Sequence, residues 1–145
     1  MRLRGKVAVV TGGGTGIGKG VSKRRALEGA RLEMVAFDAL SSAFDQKRAK
    51  NVGGFTAARE VTKSLSEGGA SAIAIECDVT NKGQVASVIS GMVAHFGKID
   101  LVGHCASVIA AKKVADLTEE DGDSIMTTNA KGTFLFERTR QVSKC

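Results

Sequence analysis

The stretch Lys6-Val-Ala-Val-Val-Thr11-Gly-Gly-Gly-Thr15-Gly-Ile-Gly18 constrains the fold more than any other, because an apolar run breaks there into a glycine-rich turn that opens a helical pattern. Val7 to Val10 is a short continuous apolar run rich in β-branched valine, as expected of a strand buried on both faces of a parallel sheet. Such a strand needs helices on either side. Gly12 lets the backbone turn sharply, Gly16 removes a side chain where a ligand must approach the main chain, and Gly18 lets the following helix sit close against the strand. The turn points backbone N–H groups outward, and with the positive end of the helix dipole they form a site for pyrophosphate. The stretch is not a Walker A loop, since Gly16-Ile-Gly18-Lys19 is followed by Gly20 and lacks the required glycine, lysine and hydroxyl order. Strand before and helix after favour a dinucleotide over a glycine-rich connection with no ligand.

Downstream, strand and helix signals alternate, which predicts a parallel sheet with right-handed crossovers. Ile17, Val21, Ala26 and Leu27 form a partial helical stripe that ends near Gly29. A second strand is expected from Arg31 to Phe37, stopping at Asp38. An acid at that end of a neighbouring strand can accept hydrogen bonds from both adenosine ribose hydroxyls and repel a 2′-phosphate, which favours NAD over NADP. Residues 39–54 are polar and mixed and read as a loop with a short helical turn. Phe55, Ala58, Val61 and Leu65 return at helical spacing before Gly68-Gly69, and 70–76 reads as a third strand. Asp78-Val79-Thr80 follows at its carboxyl end, where ligands bind in open α/β sheets; on spacing alone Asp78 serves equally as a ligand contact or as part of a helix cap. Thr80 or Asn81 caps the next helix, whose stripe of Val85, Val88, Ile89, Met92, Val93 and Phe96 is the cleanest in the chain. A fourth strand over 99–103 leads to His104-Cys105-Ala106-Ser107. Thr118-Glu119-Glu120-Asp121 has the form of a capping box, opening a last helical region through Ile125, Met126 and Asn129 toward Phe134 and Leu135, weakened by Gly122 and Gly132.

The 145 residues suit one domain spanning 1–145, too short for a complete dinucleotide fold with a substrate region. With 43% hydrophobic and 25% charged residues and no membrane-length apolar run, a soluble, cytoplasmic protein is the expectation. Twenty-one Lys and Arg against 15 Asp and Glu give a net +6, but the basic residues are scattered and no Trp or Tyr interleaves them, so neither nucleic acid nor membrane is expected as a partner. The three cysteines, Cys77, Cys105 and Cys145, lack C-x-x-C spacing, and His95 and His104 lack partners at ligand spacing, so reduced thiols and no metal are expected.

These residues resemble the short-chain dehydrogenases/reductases. Thr11-Gly-Gly-Gly-Thr15-Gly-Ile-Gly18 matches the family's T-G-x-x-x-G-x-G loop, Asp38 its ribose-binding acid in NAD-preferring members, Asp78-Val79 the D-V pair beside the adenine, and Asn129-Ala-Lys-Gly-Thr-Phe134 the N-x-x-G-x-F segment. The resemblance implies a Rossmann-like doubly wound parallel sheet of the α/β class, truncated to strand order 3-2-1-4. It implies cofactor contacts at Thr11, Gly12, Gly14, Thr15, Gly16, Ile17, Gly18, Asp38, Asp78, Val79, Cys105 and Ala106, with Asn129 helping to hold a catalytic proton relay. The implied activity is NAD(P)-dependent hydride transfer between nicotinamide and a small alcohol or carbonyl substrate in a homo-oligomer, with NAD preferred. Two departures stand out. His104-Cys105-Ala106-Ser107 replaces the family's N-N-A-G, and the family's Tyr-x-x-x-Lys is missing, the chain having no Tyr at all. General acid–base catalysis contributes about two to four orders of magnitude, so the expectation is a cofactor-binding amino-terminal half, its fourth strand left as an edge that promotes self-association. The alternative is a non-enzymatic NAD-binding or scaffold protein derived from the family.

Overall fold

A computed structural model of the chain describes residues 1–36 and 54–142. Its elements alternate as expected: β1 (Val7–Thr11), α1 (Gly16–Leu27), β2 (Arg31–Ala36), α2 (Phe55–Glu67), β3 (Ala72–Glu76), α3 (Lys82–Phe96), β4 (Leu101–His104), α4 (Glu119–Met126) and α5 (Gly132–Val142). The four strands form one parallel sheet in the order β3-β2-β1-β4. The readings that fall on Phe37, Asp38, the 39–53 loop and Cys145 lie outside the described residues.

β1 is buried along its whole length, and alternate side chains serve opposite layers. Val7 and Val9 pack with Val85, Val88, Ile89 and Met92 of α3 and Phe136 of α5, while Ala8 and Val10 pack with Ala26 of α1 and Ala58 and Val61 of α2. Helices therefore cover both faces of the sheet, the arrangement that a doubly apolar strand requires.

Half of the expected stripe on α1 packs: Ala26 is buried and Val21 lies against the same cluster. Ile17 and Leu27 are 82% and 70% exposed, and the buried face consists of Gly18, Ser22 and Ala26. Small residues spaced four apart bring this helix close to the sheet, and bulkier side chains on that face would hold it away.

The third and fourth strands are shorter than expected, beginning at Ala72 and Leu101 rather than at 70 and 99, although Ile99 is buried ahead of β4. The α3 stripe holds, and Asn81 rather than Thr80 is its cap, accepting from the N–H groups of Gly83 (3.0 Å) and Gln84 (3.1 Å). Asn81→Ala leaves both donors without this partner and is expected to lower stability by about 1 kcal/mol. Urea denaturation of the variant should show an earlier midpoint at unchanged m-value, and an unmoved midpoint would contradict the assignment.

The capping box also holds, with Thr118 Oγ1 accepting from Asp121 N–H and Asp121 Oδ2 accepting from Thr118 N–H. The last helical region is not continuous, because a π turn at Thr127–Lys131 separates α4 from α5. An i→i+5 turn takes in one extra residue and shifts the phase of everything after it. Of the two apolar residues toward which this region runs, Leu135 is buried and Phe134 is 61% exposed, and Phe136 is buried as well.

Candidate functional site

The carboxyl ends of β1 and β4 and the amino end of α1 meet at the glycine-rich turn. Gly12 takes φ +64° and Gly16 φ +49°, both in the left-handed region that favours glycine. A side chain on Gly12 would also strike β4's continuation, its Cβ falling 2.7 Å from Ala106 N and the Cys105 carbonyl group. On Gly18 a Cβ would lie 2.7 Å from the Gly12 carbonyl carbon, closer still to its oxygen, and 3.1 Å from Cys105 Cβ. The tightest contacts that need Gly18 are therefore those of the helix with the turn that ends β1 and with Cys105 beyond β4. Around Gly16, by contrast, the protein leaves open space where a Cβ would point.

Thr11 is fully buried, and its hydroxyl oxygen accepts from the N–H groups of Cys105 and Ala106, each at 3.2 Å. Its side chain ties β1 to the segment after β4. The buried hydroxyl thus lies between the end of β1 and the segment that follows β4. Cys105 and Ala106 accordingly form a floor beneath the turn.

Thr15, the N-cap of α1, makes no side-chain capping hydrogen bond, and no acid occupies the first turn. Asn81 and Thr118 do cap α3 and α4. The first-turn donors of α1 are thus left for an external acceptor, and a helix amino terminus suits an anion.

Asp78 Oδ1 accepts from Thr80 N–H (2.8 Å) and Thr80 Oγ1 (2.7 Å), forming a local turn at the end of β3. Val79 is buried and presses on the start of α5, where a Cβ on Gly132 would come 2.9 Å from Val79 Cγ2. The D-V pair and the N-x-x-G-x-F segment are thereby packed together. Asn129, inside the π turn, accepts from Val108 N–H (2.9 Å) through Oδ1 and donates to Val108 O (3.1 Å) through Nδ2. It clamps the loop after β4, which positions that loop and uses the side-chain amide on the backbone.

His104 meets Phe136 edge-on, with centroids 5.5 Å apart at 78°, and its Nε2 lies 3.7 Å from Glu137 Oε1. Arg140 binds Glu137 Oε2 through both Nε (3.0 Å) and Nη2 (2.7 Å). Burial holds the His104 pKa below its ordinary 6.5, with Glu137 opposing. The folded chain therefore favours neutral imidazole, and the unfolded chain takes up a proton first as pH falls through 6.5. Stability is expected to be insensitive to this group above 6.5 and to decline below it, until the folded pKa is reached. His104→Asn should lose less stability than the parent between neutral and acidic pH in parallel denaturant titrations; equal losses would contradict this.

Cys77 and Cys105 are free thiols, and burial, aided by Asp78, pushes the Cys77 pKa up to about 11. Among the described residues no three His, Cys, Asp or Glu side chains gather to hold a metal, and no helix is long and apolar enough to cross a membrane.

A family model described as short chain dehydrogenase matches residues 6–144. The chain belongs to the short-chain dehydrogenase family. It is 31% identical over 137 residues to a short chain dehydrogenase/reductase of Cryptosporiopsis sp., covering 94% of this chain and 46% of that protein. It is 33% identical over 134 residues to a hydroxynaphthalene reductase-like protein of Metarhizium brunneum, covering 92% and 45%. Among solved structures, a short chain dehydrogenase from Burkholderia cenocepacia in complex with NADP superposes with TM-score 0.81 at 26% identity, covering 98% of this chain and 52% of that one. This short-chain dehydrogenase chain spans about half the length of the curated relatives it matches.

One residue of the site escaped sequence reasoning. Arg25 of α1 donates to Val9 O (3.1 Å) and Val102 O (3.3 Å), reaching main-chain carbonyls of β1 and β4. Burial lowers its pKa from the ordinary value, with Cys105 opposing. The available signal was a cation one position from Ala26, on the face of α1 that packs on the sheet.

Proposed function

We propose that this chain is the dinucleotide-holding part of a short-chain oxidoreductase that transfers hydride between a nicotinamide and an alcohol or carbonyl substrate. The observation that carries the reading is the uncapped amino end of α1 above a turn in which Gly12 and Gly18 leave no room for a Cβ while Gly16 faces open space. When bound, the dinucleotide supplies the hydride donor or acceptor. The chain's own part is to bind and orient it: the first-turn N–H groups of α1 receive the pyrophosphate, Cys105 and Ala106 floor the site, and Asp78-Val79 borders the adenine. Asn129, through its clamp on Val108, holds the loop that leads away from the floor.

Asp38 supports NAD as the preferred form, while the NADP held by the Burkholderia cenocepacia structure supports the phosphorylated one. Calorimetric titration with NAD and with NADP, repeated on Asp38→Ala, separates these. Tighter NAD binding that is lost in the variant supports NAD, and tighter NADP binding by the parent supports NADP. If neither binds, the reading fails.

No Tyr occurs in the 145 residues, so this polypeptide is expected to bind dinucleotide without turning over ketones. Family-like turnover by it would contradict the view that a relatives' Tyr-x-x-x-Lys is needed. β4 stands at the edge of the described sheet, and self-association of this polypeptide is proposed on that ground; a monodisperse monomer in sedimentation contradicts it.

A further inference from the structure

We propose that Arg25 is a positioning residue for the dinucleotide site, holding β4 and the Cys105–Ala106 floor at the height the glycine turn requires; this rests on the binding role proposed above. β4 is four residues long, and β1 is its only strand neighbour among the described residues. Its end nevertheless has to be placed closely, because a Cβ on Gly12 would strike the Cys105 carbonyl and Ala106 N at 2.7 Å and one on Gly18 would press on Cys105 Cβ at 3.1 Å.

Three contacts give Arg25 that task. Its Nη1 donates to Val9 O on β1 and its Nη2 to Val102 O on β4, so one planar guanidinium spans two strands from a helix above them. A rigid fork can do this, whereas the single flexible ammonium of lysine cannot hold two fixed acceptors in the same way. The third contact is steric. The guanidinium lies directly over Gly103, where a Cβ would come 3.1 Å from Nη1, 3.2 Å from Nη2 and 3.3 Å from Cζ. Gly103 is thus the seat of the arginine, two residues before Cys105.

From there the connection to the turn is continuous. Cys105 N–H donates to Thr11 O (3.1 Å) and lies 3.2 Å from Thr11 Oγ1, and Ala106 N–H donates to that same hydroxyl oxygen. Binding sites depend on geometry held to about half an ångström, so slack at Gly103 is passed to the floor.

The test is a double-mutant cycle between Arg25→Ala and Gly103→Ala, with Arg25→Lys as the conservative variant. It is read by dinucleotide titration and by amide hydrogen exchange in the absence of ligand. Arg25→Ala is expected to weaken dinucleotide binding by about tenfold or more, with Lys giving little rescue. Exchange at the Cys105 and Ala106 amides should speed up while Val10 and Leu32 in the sheet keep their rates. Gly103→Ala should weaken binding in the parent and add little once Arg25 is gone.

Unchanged affinity with a uniform rise in exchange would overturn the proposal, leaving Arg25 as a general stabiliser. Additive effects of the two substitutions would overturn it as well. Should the parent bind neither NAD nor NADP, the functional reading fails, and the exchange comparison alone still decides whether Arg25 holds the floor.

Discussion

Gly18→Ala is expected to abolish measurable dinucleotide binding, a loss of about 100-fold or more. The added methyl would sit 2.7 Å from the Gly12 carbonyl carbon and nearer to its oxygen, so backbone must move, and 3.1 Å from Cys105 Cβ, so the floor must move with it. Neither neighbour is a flexible side-chain end that could step aside. Overpacking of this kind also costs roughly 1–3 kcal/mol of stability, which a denaturant titration measures alongside calorimetry with NAD and NADP. A variant that binds within about twofold of the parent would show that the turn tolerates reopening, and the site as described here would be wrong. Gly20→Ala is the internal control, since a Cβ there meets open space.

Among the described residues, Phe136→Ala should produce the largest loss of stability of any single truncation. Phe136 is 0% exposed, heads the fully buried side chains by volume, and packs in the cluster of Val7, Val9, Val85, Ile89 and Met92 while meeting the His104 ring edge-on. Removing it forfeits the transfer energy and leaves a cavity, together about 3–5 kcal/mol. Against a total domain stability of about 5–15 kcal/mol, that takes roughly a fifth or more. Thermal and denaturant unfolding should both report it. Phe134→Ala, two residues away at 61% exposure, should stay within about 0.5 kcal/mol of the parent. If the two variants behave alike, the phase of α5 after the π turn is misplaced.

That pair also shows where sequence reasoning stops. The apolar spacing in the last third supports a helix and its capping box, and both are present. Which phenylalanine goes inside depends on one additional residue accommodated in the π turn, which Asn129 anchors through Val108. Periodicity read along a straight helix carries no mark of that insertion. α1 makes the same point in another way: Ile17 and Leu27 are its most apolar residues and remain outside, because the helix is drawn onto the sheet along Gly18, Ser22 and Ala26. Arg25 and Gly103 are 78 positions apart in sequence, and nothing in either neighbourhood announces that one is seated on the other.

The alternation of strand and helix, the doubly buried first strand, the glycine turn and the Thr118 capping box were legible in the residues themselves. All of these rest on interactions within a few residues or on burial of a continuous run, so local chemistry is sufficient. Tertiary structure alone decided which face of α1 and α5 is buried, that Thr11 joins β1 to the floor, and that Val79 packs on Gly132. Those are contacts between segments tens of residues apart, and only the folding of helices onto both faces of the sheet brings them within range.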